Sequence, residues 1–188
     1  MLVEHCQKIA LVGTSCVGKT TIFEMLRNSL GGAHNVVFVP EAARAFFEKN
    51  PGIARFSADT QEKIQDFAIE QERKVEGPDV KIMICDRSCL DTVAYTRAAG
   101  DLAGASRLLT NIAYWLPTYS AIFLLSPDGV PYQNDGVRTE DSTFRQAVHN
   151  AFVQILEENM IPHTIIEGSL EKRVAKIESV IYDARVAS

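Results

Sequence analysis

Apolar residues along this chain switch repeatedly between continuous short runs and stripes spaced three or four apart. Five runs stand out, at residues 9–12, 35–39, 80–85, 120–125 and 163–166, each bounded by turn-forming or charged residues. Runs of that length and composition predict strands buried on both faces. Between them lie helical stripes. The first starts near Lys19, carries Ile22, Phe23, Leu26 and Leu30 on one face and stops at Gly31 and Gly32. A short helix over 41–49 is closed by Asn50, Pro51 and Gly52, and a long one over 59–75, with Ile64, Phe67, Ala68 and Val75, ends at Gly77 and Pro78. Further helices are predicted through Ala94 and Tyr95, over 102–115, along Phe144, Val148, Ala151, Phe152 and Ile155, and along Leu170, Val174, Ile177 and Ile181. Strands alternating with helices predict an α/β fold whose parallel sheet is covered by helices.

Composition narrows the setting. At 188 residues and 46% hydrophobic content the chain is long enough to bury a full core, and it is expected to be one domain over 1–188. Nineteen basic against 24 acidic residues give a net charge of −5, no electrostatic footprint for nucleic acid or an anionic membrane. No apolar run approaches a membrane span, and no signal-like start is present, so a cytoplasmic protein is expected. Cys6, Cys16, Cys85 and Cys89 lack the spacing of a zinc site and read as reduced thiols. His34, His149 and His163 show no partner pattern.

The chemistry concentrates after the first run. Residues 13–20 read Gly-Thr-Ser-Cys-Val-Gly-Lys-Thr, the phosphate-cradling pattern G-x-x-x-x-G-K-[ST], set between a strand and a helix. Gly13 and Gly18 let the backbone turn its N–H groups inward, and the next helix adds its positive end. Gly13, Thr14, Ser15, Cys16, Val17, Gly18, Lys19, Thr20 and Thr21 are therefore the predicted ATP-binding residues, with Lys19 at the terminal phosphates and the Thr20 hydroxyl a ligand for Mg²⁺.

Ligands of open parallel sheets bind beyond the carboxyl ends of the strands, so residues just past the second and third runs are expected to converge on the same place. Those residues are Glu41, Arg44, Asp86 and Arg87. Asp86 suits Mg²⁺ or proton transfer from a hydroxyl. Arg87 and Arg44 suit an anionic group, and Glu41 suits an acceptor hydroxyl. The polar stretch 135–141 reads as a lid, here bounded at about 128–142. Its Arg138 is the predicted closing arginine over a transferring phosphate, with Arg145 as second choice.

Taken together, the phosphate loop, Pro-Glu-Ala-Ala-Arg at 40–44, Asp86-Arg87 and Asp-Gly-Val-Arg at 135–138 resemble one P-loop family. Its small ATPase and kinase domains include the nicotinamide-riboside kinase domain of bifunctional NAD-biosynthesis regulators. Asp86-Arg87 also looks like the pair of thymidylate kinases, and Asp86-Arg87-Ser88 is similar to the Glu-Arg-Ser element of deoxynucleoside kinases. The resemblance implies a P-loop NTPase three-layer sandwich with a five-stranded parallel sheet in the order 2-3-1-4-5. It also implies ATP and Mg²⁺ as cofactors and a small nucleoside or nucleotide acceptor, nicotinamide riboside among the candidates.

The resulting expectation is a phosphotransferase in which Lys19, Glu41, Asp86 and Arg138 are catalytic, Glu41, Arg44 and Arg87 bind substrate, and Thr20 and Asp86 hold the metal. Its partner is a small molecule, with a homodimer left open. An alternative stays beside it, an ATPase switch module acting on a protein partner. A guanine-specific switch is disfavoured because no N-K-x-D element is present, and Asp101 to Gly104 matches D-x-x-G after a helix rather than a strand.

Overall fold

The central strand explains the architecture, because its residues alternate between two separate hydrophobic layers. In the computed structural model, which describes residues 6–131 and 142–186, β1 (Gln7–Val12) sends Ile9 and Leu11 to one side and Ala10 and Val12 to the other. Ile9 and Leu11 pack with Phe23 and Leu26 of α1 (Lys19–Leu30) and with Ile177 and Ile181 of α7 (Leu170–Val186). Ala10 and Val12 meet α4 (Leu90–Ala98), α5 (Leu102–Asn111) and α6 (Ser142–Glu158) through Val93, Leu108 and Phe152. Helix α3 (Ala58–Val75) joins that second layer through Ile69, and α2 (Ala42–Lys49) lies against α3.

The remaining strands are β2 (Val36–Val39), β3 (Ile82–Asp86), β4 (Tyr119–Leu125) and β5 (Thr164–Ile166). All four pairings are parallel, and the order is β2-β3-β1-β4-β5. This is the predicted three-layer fold with the predicted strand order. Because β1 lies between β3 and β4, the loop after β1 and the end of β3 emerge side by side. None of the described helices is long and apolar enough to cross a membrane, and all four cysteines are free.

Several boundaries shift from the sequence pattern, and two of the shifts have a clear local cause. Helix α5 ends at Asn111 rather than 115, and the chain passes through a turn into a 3-10 turn at Leu116–Thr118. Ile112 leaves helical geometry with φ −101° and ψ 2°, and Pro117, which lacks an N–H, sits in the 3-10 turn that follows. Strand β1 starts two residues earlier than the apolar run, with Lys8 only 3% exposed. Its ammonium is satisfied by Glu72 at 3.2 Å, Glu76 at 3.0 Å and the Thr118 hydroxyl at 3.2 Å, over the Trp115 ring.

Candidate functional site

Backbone conformation builds the phosphate loop first. Gly13 has φ +140°, and a Cβ there would lie 2.9 Å from the Leu125 carbonyl oxygen, so both conformation and space demand glycine. Gly18, the residue before α1, has φ +89°. Cys16 takes a left-handed φ of 55° despite its side chain. Lys19 folds back over this loop, donating to the Gly13 carbonyl at 2.9 Å and the Thr14 carbonyl at 2.5 Å. Burial, reinforced by nearby Arg87, lowers its pKa to about 8.

The loop meets the end of β3 at one contact. The Thr20 hydroxyl donates to Asp86 Oδ2 at 2.8 Å, while Asp86 Oδ1 is buried with no hydrogen-bond partner among the described residues. Burial raises the Asp86 pKa, against the opposing pull of Lys19 and Arg87. A hydroxyl and a carboxylate with an unsatisfied oxygen fit a hard cation such as Mg²⁺, which typically takes one or two carboxylates and completes its shell with water and phosphate. The described residues contain no cluster of three or more His, Cys, Asp or Glu that could form an all-protein metal cage.

Arg87 comes next along the chain with φ +80°, a conformation that costs a non-glycine residue about 1–3 kcal/mol. Its N–H continues the sheet by donating to the Leu11 carbonyl at 3.0 Å. The side chain enters the site, where Nε lies 2.9 Å from Glu41 Oε1 in an ion pair lacking hydrogen-bond alignment. Its Nη1 donates to Asp91 Oδ1 at 2.9 Å, and the guanidinium sits 5.3 Å from the Tyr95 ring centre. Burial opposes this charge, but Glu41, Tyr95 and Asp91 outweigh it and hold the pKa above the ordinary arginine value.

Glu41 precedes α2 without capping it, which leaves its carboxylate to Arg87. Arg44, 58% exposed, reaches Glu41 only at 3.8 Å. Beyond these residues opens a cavity of about 550 Å³, lined also by Phe47, Arg55, Phe56, Gln61, Glu72 and Tyr95. The Phe56 and Tyr95 rings stack nearly parallel, 5° apart, with centroids at 6.3 Å.

The structure thus brings together the loop, Thr20, Glu41, Asp86 and Arg87, and leaves Arg44 at the rim. Arg138 and most of the predicted lid fall within 132–141, outside the described residues. Arg145, the second candidate for a closing arginine, is instead 7% exposed and donates to the carbonyls of Ser15, Cys16 and Val130. Asp91 escaped the sequence reading, because Arg87 lies before α4 and only the tertiary turn after β3 brings the two together. Asp101 has a local explanation, accepting from Gly104 N–H at 2.8 Å as the cap of α5.

A family model described as an AAA domain (AAA_28) matches residues 8–173. The chain belongs to this AAA domain family. Among curated proteins, none matches it in sequence. Solved structures share the fold of this AAA domain at low identity. Thymidylate kinase from Ehrlichia chaffeensis aligns with TM-score 0.64 and 20% identity, over 94% of this chain and 99% of that one. Deoxyadenosine kinase from M. mycoides, solved with dCMP, aligns with TM-score 0.62 and 15% identity over 94% and 100%. A NadR protein in complex with NR aligns with TM-score 0.72 and 19% identity over 93% of the AAA domain chain. The chain spans about half of NadR, 48% of its length.

Proposed function

We propose that this AAA domain is an ATP- and Mg²⁺-dependent phosphotransferase acting on the hydroxyl of a small nucleoside or nucleotide. One observation carries the reading: Asp86 touches the phosphate loop through Thr20 and also lines the 550 Å³ cavity, so a donor cradle and an acceptor-sized pocket share a carboxylate. A hydrolytic switch needs no second pocket there. The kinases among the fold neighbours support the same class.

In this mechanism Mg²⁺-ATP supplies the phosphoryl group and offsets its charge. Lys19 leaves the loop carbonyls for the terminal phosphates, whose negative charge favours the ammonium form. Thr20 and Asp86 hold the metal. Glu41 accepts a hydrogen bond from the acceptor hydroxyl and receives its proton as the new P–O bond forms and the bond to ADP breaks. Arg87 positions Glu41, and Arg138, which lies outside the described residues, is proposed to supply positive charge to the transferring group. Within the cavity Arg87 is already engaged by two carboxylates, so an uncharged nucleoside suits this pocket better than a monophosphate, which would have to displace one of them.

The test is ADP release from Mg²⁺-ATP with nucleosides, nicotinamide riboside and nucleoside monophosphates, each followed by mass spectrometry. A nucleoside product heavier by one phosphate is expected. Acceptor-independent hydrolysis alone would overturn the transferase reading in favour of the switch.

A further inference from the structure

The phosphate loop is held from behind by two arginines that no motif announces. Arg145 of α6 donates from Nε to the Ser15 carbonyl at 3.2 Å and from Nη2 to the Cys16 carbonyl at 3.3 Å. Its Nη1 reaches the Val130 carbonyl at 3.0 Å. Arg173 of α7 donates from Nη1 to the Val17 carbonyl at 3.2 Å and from Nε to the Gly168 carbonyl at 2.8 Å. Arg173 is 2% exposed, and its Nη2 is buried with no partner among the described residues. With Lys19 on Gly13 and Thr14, five successive carbonyls, residues 13 to 17, each accept from a cationic side chain.

We infer that Arg145 and Arg173 are positioning residues that set the phosphate affinity of the loop. A trans peptide points its C=O and N–H in opposite directions, so fixing the oxygens of Ser15, Cys16 and Val17 outward turns the N–H groups of Cys16, Val17 and Gly18 to the other side. Those are the groups a phosphate would meet in the cradle. A charged donor on each carbonyl also polarises its peptide, strengthening the N–H behind it. Lys19 must leave its carbonyls to reach a phosphate, whereas the two arginines have no such duty and keep the cradle formed. The same two residues tie the loop to the segments around Val130 and Gly168, making three chain segments one rigid frame.

This inference rests on the proposed nucleotide site but not on transfer to an acceptor. Affinities for AMP, ADP, ATP and inorganic triphosphate are measured by calorimetry on the full chain and on Arg145→Lys and Arg173→Lys, which keep the charge and lose the fork. The expected loss grows with phosphate number, to roughly tenfold or more for ATP and triphosphate, and is small for AMP. Arg145→Gln and Arg173→Gln lose more. Circular dichroism melting identifies any unfolded variant, and the Lys pair keeps the test decisive if the Gln pair does not fold. A folded Lys variant whose ATP-to-AMP affinity ratio matches the wild type overturns the inference, since a merely structural brace would leave that ratio unmoved. Wild-type protein that binds ATP without transferring phosphate removes the transferase reading and leaves this one standing, while wild-type protein that binds no triphosphate overturns both.

Discussion

Gly13 and Lys19 show how single residues govern the nucleotide end of the site. Gly13→Ala places a Cβ 2.9 Å from the Leu125 carbonyl at φ +140°, so the loop must shift. It is expected to lose most ATP affinity and about 1–3 kcal/mol of stability, read by nucleotide titration and urea unfolding. Lys19→Ala is expected to abolish turnover with the fold intact. The Lys19 pKa of about 8 gives a signed pH effect. In the free protein the ammonium loses its proton as pH rises through 8, and bound phosphates restore the charged form. Binding therefore takes up protons at pH 8.5 and above, with the uptake falling away towards pH 7. Calorimetry in buffers of different ionisation heat measures this directly; no uptake at pH 8.5 would overturn the lowered Lys19 pKa and the pH effect drawn from it. Near the proposed acceptor end, Glu41→Gln leaves Arg87 with one of its two carboxylate partners, Asp91, so it should slow transfer to nucleosides and narrow any preference over monophosphates. A competition assay with matched nucleoside and monophosphate pairs checks both.

At the level of elements, the pins between them are polar and buried. Glu72 of α3 accepts from the Trp115 indole at 2.9 Å and the Tyr119 hydroxyl at 2.6 Å, and pairs with Lys8 of β1 at 3.2 Å. Burial raises the Glu72 pKa against these partners. Lys8→Met leaves the carboxylate without its cation and is expected to destabilise by about 3–5 kcal/mol, while Lys8→Met with Glu72→Gln recovers much of that loss in a double-mutant cycle. Such pins also explain what the sequence made visible. The five strands, the sheet order implied by the resemblance and the glycine loop could be read because each has a local signature of period or motif. Lys8 could not be read as part of a buried strand, because its neutralising partners, Glu72 and Glu76, lie far along the chain on and just past α3. Arg173 was hidden likewise, and Arg145 was read as a lid arginine and not as a brace, since a buried arginine on an amphipathic helix looks in sequence like one on its solvated face.

For the whole molecule, the phosphate loop from β1 and the cavity behind β2 and β3 stand on one edge of the sheet, so ligands at the two sites should stabilise the domain together. Mg²⁺-ATP at 100 times its dissociation constant is expected to add about 2.7 kcal/mol to unfolding. Asp86→Asn should reduce the Mg²⁺-dependent part of that gain, checked by thermal melts with ATP in the presence and absence of the metal. Equal shifts with and without Mg²⁺ in the wild type would count against the assigned metal ligands.

Trp115 is the only tryptophan in the chain, and its indole donates to Glu72, a residue that also lines the cavity. The protein thus carries its own optical probe wired to that cavity. A molecule entering that chamber should perturb the Glu72 carboxylate and with it the indole emission, so unlabelled compounds can be screened by intrinsic fluorescence before any product is known.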